Sequence, residues 1–218
     1  MCFFKKGGLL GISVTMFEIP SFAWPILGYL FGSISSAVIV SKLFRLGDPR
    51  ETGSGNPGAT NVLRSGNKFA AAITLLGDVL KGVLPVVFAQ YAEVSSGVLA
   101  MVAIAAFMGH LFPVFFRFKG GKGVATAVGV FVALSWKLLL VFVITWALVA
   151  AITRYSSLAS LMATALTGVA SFAIFNQEYQ LQLIGAIFWI VAFTFQRHRE
   201  NIDRLKNGTE GKIGQKMA

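Results

Sequence analysis

The segment GSGNPGATNVLR (53–64) has a composition suited to binding an anion. Its glycines and asparagines predict a loop rather than a helix over 53–61, and such a loop can expose successive backbone N–H groups. Arg64 ends the segment, and a guanidinium can bind one phosphate with two parallel hydrogen bonds. We therefore expect Asn56, Asn61 and Arg64 to contact a phosphate group. A flexible connector is the alternative, although it would favour Ser, Gly and Lys over paired asparagines.

A second glycine-rich segment, FRFKGGKGVAT (116–126), opens into an apolar run. Glycines beside lysines at the start of a helix form another anion-binding arrangement, because the first N–H groups point towards the ligand. Lys122 is followed by Gly123 rather than Ser or Thr, so the segment is not a Walker A motif and does not predict nucleotide hydrolysis. Lys122, Gly120, Gly121 and Gly123 are candidate phosphate-binding residues. A positively charged membrane anchor is the alternative, but it would not require the glycines.

Two further segments carry polar residues beside apolar stretches. RYSSLAS (154–160) offers hydroxyl donors at a helix start, although N-capping would explain its serines equally well. In RHRENIDRL (197–205), His198 and Asn201 would share one face if the preceding helix continued. A basic tail that binds anionic lipid would account for the arginines here, but not for this pair.

Three ionisable residues fall inside apolar stretches, where such residues are functional candidates. Asp78 and Lys81 are three apart in one predicted helix, and they are either functional or an internal ion pair near the helix end. His110 lies near the end of the next helix, where a packing role competes with catalysis. The nine acidic residues form no cluster suited to a metal, and there is no convincing Ser-His-Asp or Cys-His set. We therefore expect no metal, no cofactor and no covalent enzyme intermediate.

The composition identifies the solvent that these segments face. Hydrophobic residues make up 56% of the 218 residues and charged residues only 13%, whereas soluble domains average roughly 25% charged. This excludes a disordered chain and argues against an ordinary soluble enzyme. A net charge of +10 would suggest nucleic acid in a soluble protein, but beside this apolar excess it indicates basic loops at a membrane surface. The single cysteine, Cys2, excludes a disulfide framework and a cysteine-ligated zinc site.

Apolar stretches of roughly 17–25 residues, the length that spans a bilayer, predict the membrane helices. They lie near 23–44, 69–92, 97–116, 158–175 and 179–196. The apolar run 123–153 would be about 46 Å long as one helix, against a hydrocarbon core of about 30 Å. We split it at Trp136-Lys137, which makes seven spans.

The charges of the loops predict the orientation. Basic loops alternate with base-poor ones, and most of the 19 basic residues fall on one side once the run 123–153 is split. We predict an all-α polytopic integral membrane protein with seven transmembrane helices, its N-terminus outside and its C-terminus cytoplasmic. The predicted organisation is an N-terminal extension (1–22), which a start at Met16 would shorten, a seven-helix membrane domain that holds the catalytic site (23–205), and a basic cytoplasmic tail (206–218).

Taken together, four segments resemble the bacterial acyl-phosphate:glycerol-3-phosphate acyltransferases. They are GSGNPGATNVLR (53–64, the first motif), GHLFPVFFRFKGGKGVAT (109–126, the second motif), RYSSLAS (154–160, the third motif) and RHRENIDRL (197–205, the fourth motif). Their order, spacing and sidedness agree with that family, and the similarity spans roughly residues 25–207. The extra N-terminal segment is the departure.

The resemblance implies a seven-helix enzyme of the bacterial inner membrane with its active site facing the cytoplasm. It would transfer an acyl chain from acyl phosphate to the 1-hydroxyl of glycerol 3-phosphate, and would form lysophosphatidic acid and inorganic phosphate in phospholipid biosynthesis. Its partners would be these two substrates and the lipid bilayer, with a functional link to the enzyme that makes acyl phosphate. No nucleic acid would be involved.

The resemblance also implies roles for particular residues. Those that match positions holding the phosphate groups or the reacting centre are Ser54, Arg64, Lys122, His198 and Asn201. Ser160 matches a further polar contact, and residues 120–123 match the region associated with glycerol 3-phosphate. We expect Arg64, Lys122 and His198 to bind phosphate, and Ser54 and Asn201 to orient groups near the acyl carbonyl. Either a substrate phosphate or His198 would accept the hydroxyl proton.

Two other functions compete with this one. A small-anion transporter would suit basic, glycine-rich loops, but transporter sites are expected near the bilayer midplane, whereas these motifs lie on one side. A phosphotransferase of the CDP-alcohol type would need clustered aspartates that hold a metal, and the acidic residues here are scattered.

Overall fold

The computed structural model describes residues 19–175 and 180–214, and the described chain is helical without a strand. The helices are α1 (Ala23–Gly32), α2 (Ser36–Leu43), α3 (Ala59–Arg64), α4 (Lys68–Tyr91), α5 (Ser96–Leu111), α6 (Val124–Leu134), α7 (Trp136–Thr153), α8 (Ser156–Ile174), α9 (Leu181–Arg197) and α10 (Arg199–Lys206). The all-α prediction is confirmed for these residues. The predicted N-terminal extension lies outside them except for residues 19–22.

Within residues 19–175 and 180–214, five helical segments are long and apolar enough to cross a membrane. They are Ala23–Leu43, Lys68–Tyr91, Ser96–Phe116, Trp136–Thr153 and Ser156–Ile174. Two shorter apolar helices, α6 and α9, complete a series that follows the seven predicted stretches along the chain. Many large apolar side chains on these helices are exposed, among them Ile152 at 81% and Val169 at 63%. Such surfaces are suited to lipid rather than water.

A single serine separates α6 from α7. Ser135 has an extended backbone, and its hydroxyl accepts the N–H of Lys137 at 3.3 Å, which caps the second helix. The predicted division of the run 123–153 is confirmed, one residue before the predicted point. The break follows from the cap, because a serine in this position satisfies N–H groups that a new helix leaves unpaired.

The stretch predicted as one helix at 23–44 consists of two helices, α1 and α2. The break falls at residues 33–35, where residues from distant parts of the chain form hydrogen bonds with Ser33 and Ile34. The Ile34 carbonyl accepts a hydrogen bond from the Lys81 ammonium at 2.8 Å. The Ser33 hydroxyl accepts one from the Val114 N–H at 3.4 Å. A sequence pattern could not predict this break, because both partners lie far away along the chain.

The helices associate through small residues and one large apolar cluster. The main helix pairs are α1 with α5, α4 with α6, and α7 with α8. A side chain at Gly32 would overlap the backbone of Ala106, and one at Gly129 would overlap the backbone of Val79. Glycines at these points therefore allow the close helix approach common in membrane bundles. The buried cluster is built around Phe107.

The first motif contains more helix than predicted. Its second half forms the short helix α3, so the prediction of a loop over 53–61 is wrong for residues 59–61. The stretch before it remains irregular, with Gly53 and Gly55 at φ +62° and +67°. These left-handed conformations favour glycine, which has no Cβ. The loop lies beside the second motif, because a Cβ at Gly121 would come within 2.9 Å of the Pro57 carbonyl oxygen.

Candidate functional site

Asn61 holds the loop of the first motif in shape. Its side-chain oxygen accepts the N–H of Ser54 at 3.0 Å. Its amide group donates to the carbonyls of Pro49 at 2.7 Å and Thr52 at 2.9 Å. Asn61 is buried, and these three bonds engage both ends of its amide. The side chain thus fixes the conformation of the loop from its buried side. Its predicted contact with a phosphate stays a prediction.

The other candidates of the first motif are more accessible. Ser54 and Arg64 are exposed, and Asn56 is half-buried. Arg64 lies in the last turn of α3, and its positive charge contributes to lowering the pKa of Lys122. The two cations therefore repel each other weakly, and an anion bound near Lys122 would relieve that repulsion.

The second motif contains a tightly enclosed glycine loop, residues 119–123. The Gly121 N–H donates to the carbonyl of His110 at 3.2 Å. From the other side, the Arg197 guanidinium donates to the carbonyls of Gly120 at 2.9 Å and Gly121 at 3.1 Å. The loop is thereby held between the ends of α5 and α9. Arg197 was missed as a site residue, since its partners are backbone groups that carry no sequence signal.

Three glycines of this loop have no room for a side chain. A Cβ at Gly120 would overlap the carbonyl of His110, and one at Gly121 would overlap the His110 ring and lie 2.9 Å from the Pro57 carbonyl oxygen. Gly123 has φ +85° and abuts an aromatic ring of the core. The glycines are therefore required by close packing.

Lys122 leaves this loop and joins a chain of polar groups. Its ammonium donates a short hydrogen bond to the side-chain oxygen of Asn201. The Asn201 amide in turn donates to Glu210 Oε1 at 2.7 Å. The same carboxylate accepts from Ser157 at 2.6 Å and from Arg204 at 2.8 Å. Lys122 and Asn201, predicted from separate motifs, are thus in direct contact.

Glu210 organises this part of the site and was missed by the sequence reasoning. It is the one acidic residue in the segment 206–218, which we expected to be only a basic tail. Its described part, residues 206–214, folds back on the helices, since the Ile213 N–H donates to the Arg154 carbonyl at 2.7 Å. Burial alone would raise the pKa of Glu210, but the bonds from Ser157, Arg204 and Asn201 lower it. The signal in the sequence that could have revealed Glu210 was a lone carboxylate among basic residues.

His198 lies at the junction of α9 and α10, so the preceding helix does not continue unbroken to Asn201. Its Nδ1 is 2.8 Å from the Thr194 carbonyl oxygen. Because a carbonyl only accepts, Nδ1 carries the proton and Nε2 presents a lone pair. Burial, together with the Lys122 and Arg197 charges, lowers the pKa of His198 to about 4, against the opposing bond to Thr194 and the charge of Glu210. The ring is therefore neutral at physiological pH.

The pKa of Lys122 is lowered, as is that of His198. Burial and the nearby charge of Arg204 lower its pKa, while the carboxylate of Glu210 opposes the shift. A partly desolvated ammonium gains more from binding an anion than an exposed one does, because less water screens the pair.

Ser160 stands apart from this network. Its hydroxyl donates to the Ser156 carbonyl at 2.8 Å and accepts the indole N–H of Trp146 at 3.2 Å. These bonds place it between α7 and α8, one helical turn beyond Ser157. None of the described hydrogen bonds joins it to the other candidate residues, and its contact with substrate stays a prediction.

A cavity of about 290 Å³ opens between the first loop and the glycine loop. It is lined by Arg50, Gly55, Pro57, Phe118, Lys119, Gly120 and Arg197. A cationic lining and this volume suit a small phosphorylated molecule. In the described residues no group of three or more His, Cys, Asp or Glu side chains could hold a metal ion.

Comparisons with known proteins agree with this chemistry. The family model described as "Glycerol-3-phosphate acyltransferase" matches residues 22–208. A protein of that name from Francisella tularensis subsp. novicida is 52% identical over 198 residues, which cover 90% of this chain and 94% of the relative. The one from Methylobacillus flagellatus is also 52% identical, over 88% of this chain and 96% of its own.

Solved structures are similar as well. The crystal structure of PlsY (YgiH), an integral membrane glycerol 3-phosphate acyltransferase, in its glycerol 3-phosphate form has a TM-score of 0.83 and 39% identity, over 89% of this chain and 96% of its own. The lysophosphatidic acid form of PlsY has a TM-score of 0.82 and 38% identity, over 89% and 95%.

The fold and these similarities define a multi-pass membrane acyltransferase. The chain belongs to the glycerol-3-phosphate acyltransferase family, as its four motifs predicted. Its reaction belongs to phospholipid biosynthesis. The comparisons lend no support to the alternative of a small-anion transporter.

A substitution at Glu210 tests the polar chain behind Lys122. We expect Glu210→Gln to lower the acyltransferase turnover by about tenfold, because Asn201 loses a charged acceptor that fixes its orientation. Asp203→Asn is the matched control, since Asp203 is an exposed acid on the same helix as Asn201. Equal turnover in both variants, measured on purified protein of normal thermal stability, would mean that Glu210 has no role in the site.

Proposed function

We propose that the protein transfers an acyl chain from acyl phosphate to the 1-hydroxyl of glycerol 3-phosphate. The hydroxyl oxygen attacks the acyl carbonyl, the new ester bond forms, and the bond from the carbonyl carbon to the phosphate oxygen breaks. The products are lysophosphatidic acid and inorganic phosphate. The observation that carries this proposal is the cationic end of the bundle, where the glycine loop brings Lys122 to Asn201.

The chemistry of an acyl phosphate donor fits the groups that the site contains. An acyl phosphate is a mixed anhydride with a good leaving group, so direct attack requires positioning and charge stabilisation rather than a covalent acyl-enzyme. Positioning can supply roughly 7–11 kcal/mol of a barrier. We assign Arg64 and Lys122 to the phosphate groups, and Ser54 and Asn201 to the orientation of groups near the acyl carbonyl.

We assign His198 a role different from that of the residues that bind phosphate. A neutral imidazole with Nδ1–H on Thr194 presents only an acceptor, Nε2, to a substrate. That acceptor suits the hydroxyl of glycerol 3-phosphate better than a phosphate oxygen, which itself only accepts. We therefore propose that His198 orients the attacking hydroxyl and that a substrate phosphate accepts its proton.

The acid–base balance supports the substrate as the base. A phosphate monoester has a second pKa of about 6, whereas burial and nearby cations lower the pKa of His198 to about 4. A general base works best when its pKa lies near the operating pH. The phosphate is therefore the better matched of the two.

The acid limb of the pH profile distinguishes the two bases. With the substrate as base, we expect kcat/KM for glycerol 3-phosphate to fall as the pH drops through about 6, because this ratio reports the pKa values of the free substrate and free enzyme. His198→Asn should lower kcat/KM while keeping that limb. With His198 as base, the wild-type limb would lie near 4, where its pKa falls, and the variant would lose it. Profiles of kcat/KM for both proteins decide between these outcomes.

The membrane arrangement completes the proposal. We propose seven spans in the bacterial inner membrane, with the N-terminus outside and the four motifs and the C-terminus in the cytoplasm. The alternation of basic loops supports this orientation. Helix α6 has only 11 residues, which gives about 16 Å of rise. Because it starts from a buried loop, we propose that it has less of the hydrocarbon core to cross.

The donor is tested by measuring phosphate release from the purified protein in a lipid phase. Palmitoyl phosphate and glycerol 3-phosphate are supplied without metal or coenzyme A, and lysophosphatidic acid is quantified. We expect release that requires both substrates and stoichiometric product. Transfer from palmitoyl-coenzyme A alone would overturn the donor assignment. Success would also support a functional link to the enzyme that makes acyl phosphate.

A further inference from the structure

A polar cluster lies buried among the membrane helices, beneath the site. Lys81 Nζ is 2.9 Å from Asp78 Oδ1, and both side chains are about 95% buried or more. His110, on α5, places its Nδ1 3.7 Å from the same carboxylate oxygen. Within the described residues, neither Asp78 Oδ1 nor His110 Nδ1 makes a regular hydrogen bond. The reaction assigned above uses none of these three groups.

His110 connects this cluster to the glycine loop. Its carbonyl accepts the N–H of Gly121 at 3.2 Å. On the far side of its ring, Nε2 lies so close to Gly121 that a Cβ there would overlap it. The imidazole therefore fills the space between the Asp78 carboxylate and the backbone of the loop.

The cluster is also tied to the opposite wall of the bundle. Lys81 donates to the Ile34 carbonyl at the break between α1 and α2. Arg197 holds the loop from the other side through the carbonyls of Gly120 and Gly121. The position of the loop, and hence of Lys122, depends on Arg197 on one side and on His110 with its ion pair on the other.

Burial of an ion pair by itself does not explain the cluster. Replacing a buried pair by well-packed apolar residues is often neutral or stabilising, so the pair is weak evidence for a role in stability. We propose instead that His110, Asp78 and Lys81 are positioning residues, which set the glycine loop for binding glycerol 3-phosphate. This rests on the proposed role of that loop in binding this substrate.

The first test replaces the His110 ring by one of similar shape without nitrogen. We expect His110→Phe to raise the KM for glycerol 3-phosphate about tenfold, because a small misplacement of a binding loop is costly. The KM for palmitoyl phosphate should stay within about twofold of wild type, since we assign the glycine loop to glycerol 3-phosphate. His110→Gln, which restores a polar group against the loop, should recover most of the loss.

A second variant keeps the proposal testable if the His110 substitutions fail to fold. Asp78→Asn with Lys81→Met removes both charges together and leaves no unpaired buried charge. We expect the same selective rise in the KM for glycerol 3-phosphate. Ser171→Ala is the control, because Ser171 is equally buried and bonds only within its own helix.

The outcomes separate this inference from the proposed function. Folded variants with an unchanged KM for glycerol 3-phosphate, or with both KM values raised together and the thermal stability lowered, would overturn the positioning role. Wild-type protein that transfers no acyl group to glycerol 3-phosphate would overturn the proposed function itself.

Discussion

Lys122→Met is expected to lower kcat/KM for acyl transfer by about 100- to 1,000-fold. The magnitude is typical of losing one preorganised donor to developing charge in a desolvated site. Methionine preserves the length and apolar stem of the side chain while removing its charge. Lys122 is the centre of the polar chain that passes through Asn201 to Glu210. The loss should therefore appear in kcat as well as in the KM for glycerol 3-phosphate.

The measurement is a steady-state assay with palmitoyl phosphate and glycerol 3-phosphate in lipid. Lys137→Met is the matched control, because it makes the same chemical change at an exposed position in the first turn of α7. We expect its activity to match wild type. A Lys122→Met enzyme within about threefold of the control would remove Lys122 from the phosphate site.

Gly121→Ala is expected to impair acyl transfer severely, although it adds only one carbon atom. The new Cβ would overlap the His110 ring and press on the Pro57 carbonyl, so the glycine loop would have to move. A displacement of about 1 Å can cost roughly 100-fold in rate, and overpacking adds about 1–3 kcal/mol of destabilisation. The largest part of the kinetic loss should be a higher KM for glycerol 3-phosphate.

Gly185→Ala provides the comparison for this substitution. A Cβ at Gly185, within α9, would have no neighbour within 4 Å. An alanine in a helix also costs less backbone entropy than a glycine does. We expect this variant to be as active and as stable as wild type. If Gly121→Ala behaved in the same way, the loop would be only a membrane anchor.

The two experiments address different parts of one electrostatic arrangement. Lys122 feels the positive charges of Arg204 and Arg64, and the carboxylate of the polar chain, Glu210, is occupied by three hydrogen-bond donors. An incoming phosphate therefore meets cations whose charge is incompletely neutralised. Lys122 contributes the charge, and Gly121 determines where that charge lies.

The sequence by itself determined the helical class and the family. Apolar length and motif composition are properties of each segment alone, so they survive whatever the segments pack against. The division near Trp136 was predictable for the same reason, because one helix over 123–153 would exceed the bilayer. The glycine loop and Lys122 were recognisable from local composition.

Only the tertiary structure decided how these residues act. Glu210, Arg197 and the tautomer of His198 depend on partners more than three residues away or on backbone carbonyls, which no local pattern records. The break between α1 and α2 depends on Lys81 in the same way. Local periodicity reports the solvent that a segment faces, whereas hydrogen bonds between segments depend on distances that arise only when the chain is folded.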